Sequence, residues 1–138
     1  MPKTSNKDDM PQNAPPNGKS VLVVEDEEAM GKVLTNKFIH HGFECIHATN
    51  GTEALEKMKE QVFDIIILDL LMPGKDGFNV LMERGDGMNA KTPVFVLTNL
   101  GEEETLKKAL GMGATECFTK SNTSLNDLVI KVKEQVGV

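Results

Sequence analysis

Five short apolar runs alternate with amphipathic stretches through most of this 138-residue chain, and this alternation constrains the fold more than any other feature. The first, third and fourth runs are apolar at every position, which is typical of strands covered by helices on both faces of a parallel sheet. The second and fifth runs alternate apolar with polar residues, as strands nearer the edge of a sheet do. The runs occupy residues 21–24, 43–47, 65–68, 93–97 and 115–119.

The stretches between the runs carry helical spacing and helix-terminus signals. Asn50 and Glu53 resemble a capping box, Ser124 marks the start of a fifth helix, and Gly42 supplies a left-handed cap after the first. A weaker third helix is predicted over residues 77–84. Five strands alternating with five helices predict a doubly wound α/β fold of the flavodoxin-like kind, whose parallel sheet has the strand order 2-1-3-4-5.

Composition divides the chain into a tail and a folded part. Residues 1–19 contain four prolines and no aliphatic run, so they cannot bury enough surface to offset the entropy of ordering. We therefore predict a disordered N-terminal tail over residues 1–19 and one folded domain over residues 20–138.

Charge and hydropathy exclude several partner classes. Fifteen basic and 21 acidic side chains leave a net charge of −6, which repels nucleic-acid backbones and anionic membrane surfaces. The longest aliphatic runs hold four residues, far short of the roughly 20 that cross a bilayer, and the N-terminus lacks the apolar stretch of a signal peptide. We expect a cytoplasmic protein that binds neither nucleic acid nor membrane directly.

Chemically active side chains follow four of the predicted strands. Glu25 and Asp26 follow the first strand, Asp69 the third, Thr98 ends the fourth and Lys120 follows the fifth. In the predicted fold the first and third strands are neighbours at the switch point, where ligands bind. Carboxylates about 4 Å apart repel by roughly 4 kcal/mol per pair. A cation is therefore expected there, and all-oxygen ligation suits Mg²⁺ or Mn²⁺.

The same set of side chains is equipped to receive a phosphoryl group. A carboxylate oxygen of Asp69 would attack in line, the cation and Lys120 would offset the phosphoryl charge, and Thr98 would donate a hydrogen bond. Asp69 is the best nucleophile candidate because a Met-Pro-Gly turn at residues 72–74 would hold the following loop open. Each residue alone has an ordinary structural explanation, such as capping the next helix, but their joint placement favours a site.

Four segments carry motifs in a distinctive order and spacing: VLVVEDE at 21–27, DIIILDLLMPGKDG at 64–77, VLT at 96–98 and GATECFTK at 113–120. Together they resemble the receiver domain of bacterial two-component response regulators. The likeness covers essentially all of residues 20–138, and the family fold is a five-stranded parallel sheet. Members of the family accept a phosphoryl group from a sensor histidine kinase onto one aspartate.

The resemblance implies a role for each matching residue. Asp69 is the implied phosphoacceptor. Mg²⁺ is implied to bind Asp26 directly, Glu25 through water, and the backbone carbonyl of Leu71. After transfer, Thr98 would follow the phosphoryl group and Lys120 would pair with it.

The implied partners are a sensor histidine kinase or phosphotransfer protein, and a downstream protein bound by the face of helix four, strand five and helix five. The implied chemistry is limited to accepting the phosphoryl group and losing it by self-dephosphorylation, so we do not expect an enzyme.

The chain departs from the family pattern at a few positions. Ser121 stands where proline usually follows the lysine, and Cys117 stands where an aromatic switch residue is common. Leu71 and Leu100 flank the expected path of the hydrolytic water, which predicts a long-lived aspartyl phosphate.

Two alternatives stay open. One is a pseudo-receiver that binds partners without phosphorylation. The other is an Asp-nucleophile phosphatase of the haloacid dehalogenase kind, which expects a second Asp where Leu71 stands.

Overall fold

The computed structural model describes residues 14–72, 77–99 and 102–138. In this part of the chain, five strands alternate with five helices, and a short 3₁₀ turn follows the last strand. In chain order the elements are β1 (Ser20–Val24), α1 (Glu28–His40), β2 (Glu44–Ala48), α2 (Gly51–Glu60), β3 (Ile65–Leu68), α3 (Gly77–Arg84), β4 (Val94–Thr98), α4 (Glu103–Gly111), β5 (Glu116–Thr119), the 3₁₀ turn Lys120–Asn122 and α5 (Leu125–Val136).

The five strands form one sheet in the order β2-β1-β3-β4-β5, and every neighbouring pair is parallel. Fold class, strand order and the number of helices therefore confirm the sequence prediction. Val24 at the end of β1 is in register with Leu68 at the end of β3. The residues that directly follow these two strands consequently emerge side by side at the carboxyl edge of the sheet.

Helices cover both faces of the sheet, which explains why the central strands are apolar throughout. Every residue of β3 and β4 is buried, and β1 is buried from its second residue onward. Successive side chains enter opposite cores because strand side chains alternate. On one face Val21 and Val23 pack with Phe38 and Leu128 of α1 and α5, and on the other Leu22 and Val24 belong to the core that α2, α3 and α4 cover.

The predicted helix termini are present. The side chain of Asn50 accepts a hydrogen bond from the backbone N–H of Glu53. At the start of α5, the side chain of Ser124 accepts one from the backbone N–H of Asp127. Gly42 has a φ of 93°, a conformation that glycine adopts without the steric cost of a Cβ atom. The third helix has the bounds that the sequence predicted.

Residues 14–19 lie against the C-terminal end of α1. The backbone N–H of Ala14 donates to the carbonyl of His40, and that of Asn17 donates to the carbonyl of Gly42. The Asn17 side chain also donates to the carbonyl of His41. These bonds satisfy carbonyls that a helix end leaves open, a contribution that the composition of the predicted tail does not reveal. Residues 1–13 of that tail lie outside the described residues.

Two further features of the sequence analysis also lie outside the described residues. They are the Pro-Gly part of the turn at residues 73–74, and Leu100. Among the helices that the structure describes, none has the length and apolar character needed to cross a membrane.

Candidate functional site

The pairing of β1 with β3 brings the predicted carboxylates together. The backbone N–H of Asp69 donates to the carbonyl of Val24, at 3.0 Å, so Asp69 begins its loop beside the end of β1. Glu25 continues from β1, and its N–H donates to the carbonyl of Ala48 in β2. The sheet thus holds both chain segments by main-chain bonds before any side chain is considered.

Glu25, Asp26 and Asp69 form one acidic cluster. One carboxylate oxygen from each lies within 4.8 Å of the others. Glu25 and Asp69 are only 2% and 6% exposed, whereas Asp26 is exposed. Burial of two negative groups this close demands compensation, because their mutual repulsion is strongest where water is excluded.

Lys120 provides part of that compensation. Its Nζ atom lies 2.7 Å from Oε1 of Glu25 and 3.2 Å from Oδ2 of Asp69. No cis peptide bond occurs in the described ranges, and Lys120 instead begins the 3₁₀ turn that follows β5. The lysine therefore reaches the acidic cluster although Ser121 stands in the position of the usual proline.

The pKa shifts reflect the competition between burial and charge pairing. Burial raises the pKa of Glu25, although hydrogen bonds from Lys120 and from the backbone N–H of Glu27 partly oppose this shift. Burial by itself would lower the pKa of Lys120, but the hydrogen bond and charge of Glu25 and the charge of Asp69 outweigh it, so the pKa is raised. The lysine is consequently held in its charged form.

Asp69 faces an open cavity of about 490 Å³. Its Oδ1 atom accepts the backbone N–H of Leu71 at 3.1 Å, and its Oδ2 atom accepts Lys120. These contacts fix the carboxylate plane at the cavity wall. Leu71 is 61% exposed at the same cavity.

The donor set fits a small divalent cation. One oxygen from each of three carboxylates lies within 4.8 Å of the others, so all three donor atoms are oxygen, and the adjoining cavity leaves room for water ligands. This chemistry suits Mg²⁺, which prefers oxygen ligands and retains several of its waters. Glu25, Asp26 and Asp69 are the side chains that would hold the ion, and the loop of Leu71 runs along the same cavity.

Thr98 ends β4 and is fully buried, in register with Thr119, which directly precedes Lys120. Thr98 is not one of the described residues that line the cavity. Asn99, the next residue, does line the cavity and is exposed. Sequence reasoning passed over Asn99, because an exposed amide in a loop carries no distinctive signal.

Cys117 and Phe118 lie on opposite faces of β5, as strand alternation predicts. The Cys117 thiol is 3.8 Å from the carbonyl of Leu106 in α4, while the ring of Phe118 packs edge-on against Phe95, with 5.3 Å between centroids. Phe118 therefore does not replace the aromatic residue that the family often has at the position of Cys117.

His47 has a contact that the sequence did not suggest. In the structure its Nε2 atom lies 2.7 Å from the backbone carbonyl of Glu25. The only sequence signal was indirect: Gly31 is a glycine inside a helical pattern, which often marks a close approach, and it sits against the His47 ring.

Comparison with known proteins agrees with this geometry. The family model described as the response regulator receiver domain matches residues 21–133. The chain is 36% identical over 116 residues to response regulator RR06 of Streptococcus pneumoniae, covering 83% of this chain and 51% of that protein. It is also 36% identical over 103 residues to the chemotaxis protein CheY of Halobacterium salinarum, covering 74% and 84%.

Solved structures show the same fold. The receiver domain of the Francisella response regulator 1452 superposes with a TM-score of 0.80 at 29% identity, covering 87% of this chain and 98% of that one. CheY4 of Vibrio cholerae gives 0.78 at 27% identity, covering 84% and 97%. The chain spans about half the length of RR06 and of PhoB from Pseudomonas aeruginosa. The acidic cluster lies where this family is phosphorylated, and the chain belongs to the receiver domains of two-component response regulators.

Proposed function

We propose that Asp69 accepts a phosphoryl group with the help of Mg²⁺, and that the resulting aspartyl phosphate switches the binding of a downstream partner. One observation carries the proposal: a buried aspartate faces an open cavity, with oxygen atoms of two further carboxylates within 4.8 Å and a lysine ammonium group at 3.2 Å. A structural ion pair alone requires neither the cavity nor the third carboxylate.

In the proposed step, a carboxylate oxygen of Asp69 attacks phosphorus and forms a new O–P bond. The bond between phosphorus and the donor breaks, and the donor leaves with that electron pair. For a phosphohistidine donor the leaving group is imidazole, which is a good leaving group once protonated. A Mg²⁺ ion held by the acidic cluster would supply charge stabilisation to the phosphoryl oxygens.

The residues of this chain prepare that step. The N–H of Leu71 orients the Asp69 carboxylate. Lys120, now paired with Glu25 and Asp69, is close enough to transfer its contact to a phosphoryl oxygen. Thr98, at the end of β4, would turn toward the phosphoryl group on Asp69, and its hydroxyl would donate a hydrogen bond to a phosphoryl oxygen.

Phosphorylation adds negative charge and acceptor oxygens at the edge of the sheet. Pulling Thr98 and Lys120 toward the phosphoryl group would displace the ends of β4 and β5. We propose that this biases the face formed by α4, β5 and α5 between two partner-binding states. The phosphoryl donor would be a sensor histidine kinase or phosphotransfer protein, consistent with the response regulators that the chain resembles.

We propose phosphorylation and slow self-dephosphorylation rather than multiple-turnover catalysis. A phosphatase of the haloacid dehalogenase kind needs an acid or base two residues after its nucleophile, and the Leu71 side chain has no titratable group. From charge and hydropathy, we also propose that the protein is cytoplasmic and does not bind nucleic acid directly.

The test is incubation with acetyl phosphate and Mg²⁺, followed by intact mass spectrometry. We expect the mass of one phosphoryl group to be added. Asp69→Asn should abolish the adduct, whereas Asp86→Asn, an equivalent change at an exposed loop aspartate, should retain it. Continuous release of phosphate would indicate a hydrolase. Failure to form any adduct would contradict the proposal and favour the phosphorylation-independent binding module.

A further inference from the structure

The Glu25 backbone is held by a side chain from the neighbouring strand. Nε2 of His47, in β2, lies 2.7 Å from the carbonyl oxygen of Glu25. A carbonyl oxygen only accepts hydrogen bonds, so Nε2 carries the proton and donates. His47 is half-buried, which strengthens such a bond relative to one in open water.

The bonded carbonyl belongs to the peptide that joins Glu25 to Asp26. That peptide is planar, so a bond to its oxygen fixes the orientation of the whole unit. The other polar groups of Glu25 are also engaged. Its N–H donates to Ala48, Oε1 accepts Lys120 at 2.7 Å, and Oε2 accepts the N–H of Glu27 at 3.2 Å. The contact from His47 acts directly on the link to Asp26, whose side chain is exposed.

Gly31 in α1 makes room for the imidazole. A Cβ atom at position 31 would lie 2.0 Å from Cε1 and 2.1 Å from Nε2 of His47, far inside contact distance. Glycine inside a helix costs about 1 kcal/mol relative to alanine, and Gly31 has an ordinary helical conformation that does not require it. A side chain at position 31 would therefore force the His47 ring to move away from its present place.

We propose that His47 is a positioning residue for the acidic cluster, and that Gly31 is the gap that lets it act. By fixing the peptide between Glu25 and Asp26, the imidazole sets how closely these two carboxylates approach Asp69. The consequence is a higher affinity for a divalent cation. This inference rests on the proposed function, because it takes the cluster to be a cation site.

The test is titration of the full chain with Mn²⁺ alone, followed by electron paramagnetic resonance of the free ion. His47→Leu removes the donor while keeping a side chain of similar size, and we expect it to weaken Mn²⁺ binding about tenfold, as loss of a supporting hydrogen bond at a metal site typically does. His47→Gln retains an N–H donor at similar reach and should stay within about twofold of the unaltered chain. Ile46→Ala, a control in the same strand whose side chain packs against the core covered by α2, α3 and α4, should lower the urea midpoint without changing Mn²⁺ affinity.

Three outcomes would overturn the proposal. Equal Mn²⁺ affinity in His47→Leu and the unaltered chain would show that the contact does not position the cluster. An equal loss in Ile46→Ala would assign the effect to general destabilisation. No Mn²⁺ binding by the unaltered chain would refute the cation site itself, and with it the proposed function.

A double-mutant cycle tests the role of Gly31 independently. Gly31→Ala should displace the imidazole and weaken Mn²⁺ binding about as much as His47→Leu does. In a His47→Ala background the same change should cause no further loss, and it should raise the urea midpoint because alanine favours the helix. Equal losses of affinity from Gly31→Ala in both backgrounds would contradict the assigned contact.

Discussion

Replacing Lys120 by methionine tests the electrostatic description of the site most directly. At an effective dielectric constant near 20, the contacts at 2.7 Å and 3.2 Å correspond to attractions of about 6 and about 5 kcal/mol before desolvation is subtracted. Burial of the lysine offsets much of this attraction. The net loss of stability is limited by the cost of neutralising a buried carboxylate once the ammonium group is gone.

An unpaired buried carboxylate can escape its charge by taking up a proton. For a group with an ordinary pKa of 4.5, this costs about 4 kcal/mol near pH 7.5, since each pKa unit is worth about 1.4 kcal/mol. Because burial already raises the pKa of Glu25, the cost is somewhat lower. We therefore expect Lys120→Met to lower the free energy of unfolding by about 3 kcal/mol without metal, in line with other broken buried pairs.

Urea denaturation followed by far-ultraviolet circular dichroism measures this loss, since the chain has no Trp or Tyr for fluorescence. Lys131→Met is the matched control. Lys131 and Glu116 form an exposed pair at 3.9 Å, so its removal should cost less than about 1 kcal/mol.

Adding Mg²⁺ gives the sharper outcome. The ammonium group of Lys120 competes with the cation for the same carboxylates, so saturating Mg²⁺ should stabilise Lys120→Met by at least about 1 kcal/mol more than it stabilises the unaltered chain. If Lys120→Met costs no more than Lys131→Met, or if Mg²⁺ stabilises all three proteins equally, the electrostatic reasoning is wrong.

Three further predictions concern groups outside the acidic cluster or the fate of the adduct. Arg84 is buried and donates to three backbone carbonyls, so Arg84→Met should cost about 3 kcal/mol in urea denaturation, and a loss below about 1 kcal/mol would contradict this role. Burial, with the nearby charge of Lys133, lowers the pKa of His41 from its ordinary 6.5, so the stability contributed by the neutral imidazole is complete above pH 6.5 and is lost as the pH falls through the lower folded pKa. His41→Asn should flatten this decline of the free energy of unfolding with falling pH, and an unchanged slope would refute the assignment of the decline to His41. Leu71 lines the phosphoacceptor cavity, and we expect a long-lived aspartyl phosphate that Leu100→Glu shortens in time-resolved dephosphorylation; rapid loss from the unaltered chain, unchanged by the substitution, would contradict it.

Local sequence patterns were sufficient to predict the elements of this fold. Apolar runs of four or five residues produced the buried strands, because only the covered centre of a parallel sheet tolerates them. Asn50 and Gly42 marked helix boundaries through bonds and dihedral angles that involve only nearby residues. The strand ends then placed Glu25, Asp69 and Lys120 at one edge, since parallel strands all finish on the same side.

Long-range contacts could not be predicted in this way. The position of Lys120 depends on how the chain leaves β5 and on the attraction of carboxylates 51 and 95 residues away. The bond from His47 to Glu25 depends on the register of β2 with β1 and on a gap at Gly31 in a helix that packs above them. None of these contacts leaves a periodic signal in the sequence.

The sequence by itself thus determined the order of elements, the parallel sheet and the residue types at its carboxyl edge, because these follow from periodicity and chain direction. Tertiary structure alone decided which atoms meet there. Lys120 pairs with both buried carboxylates, and the His47 imidazole holds the peptide beside them, because side-chain packing and charge compensation act between residues that only the folded chain brings into contact.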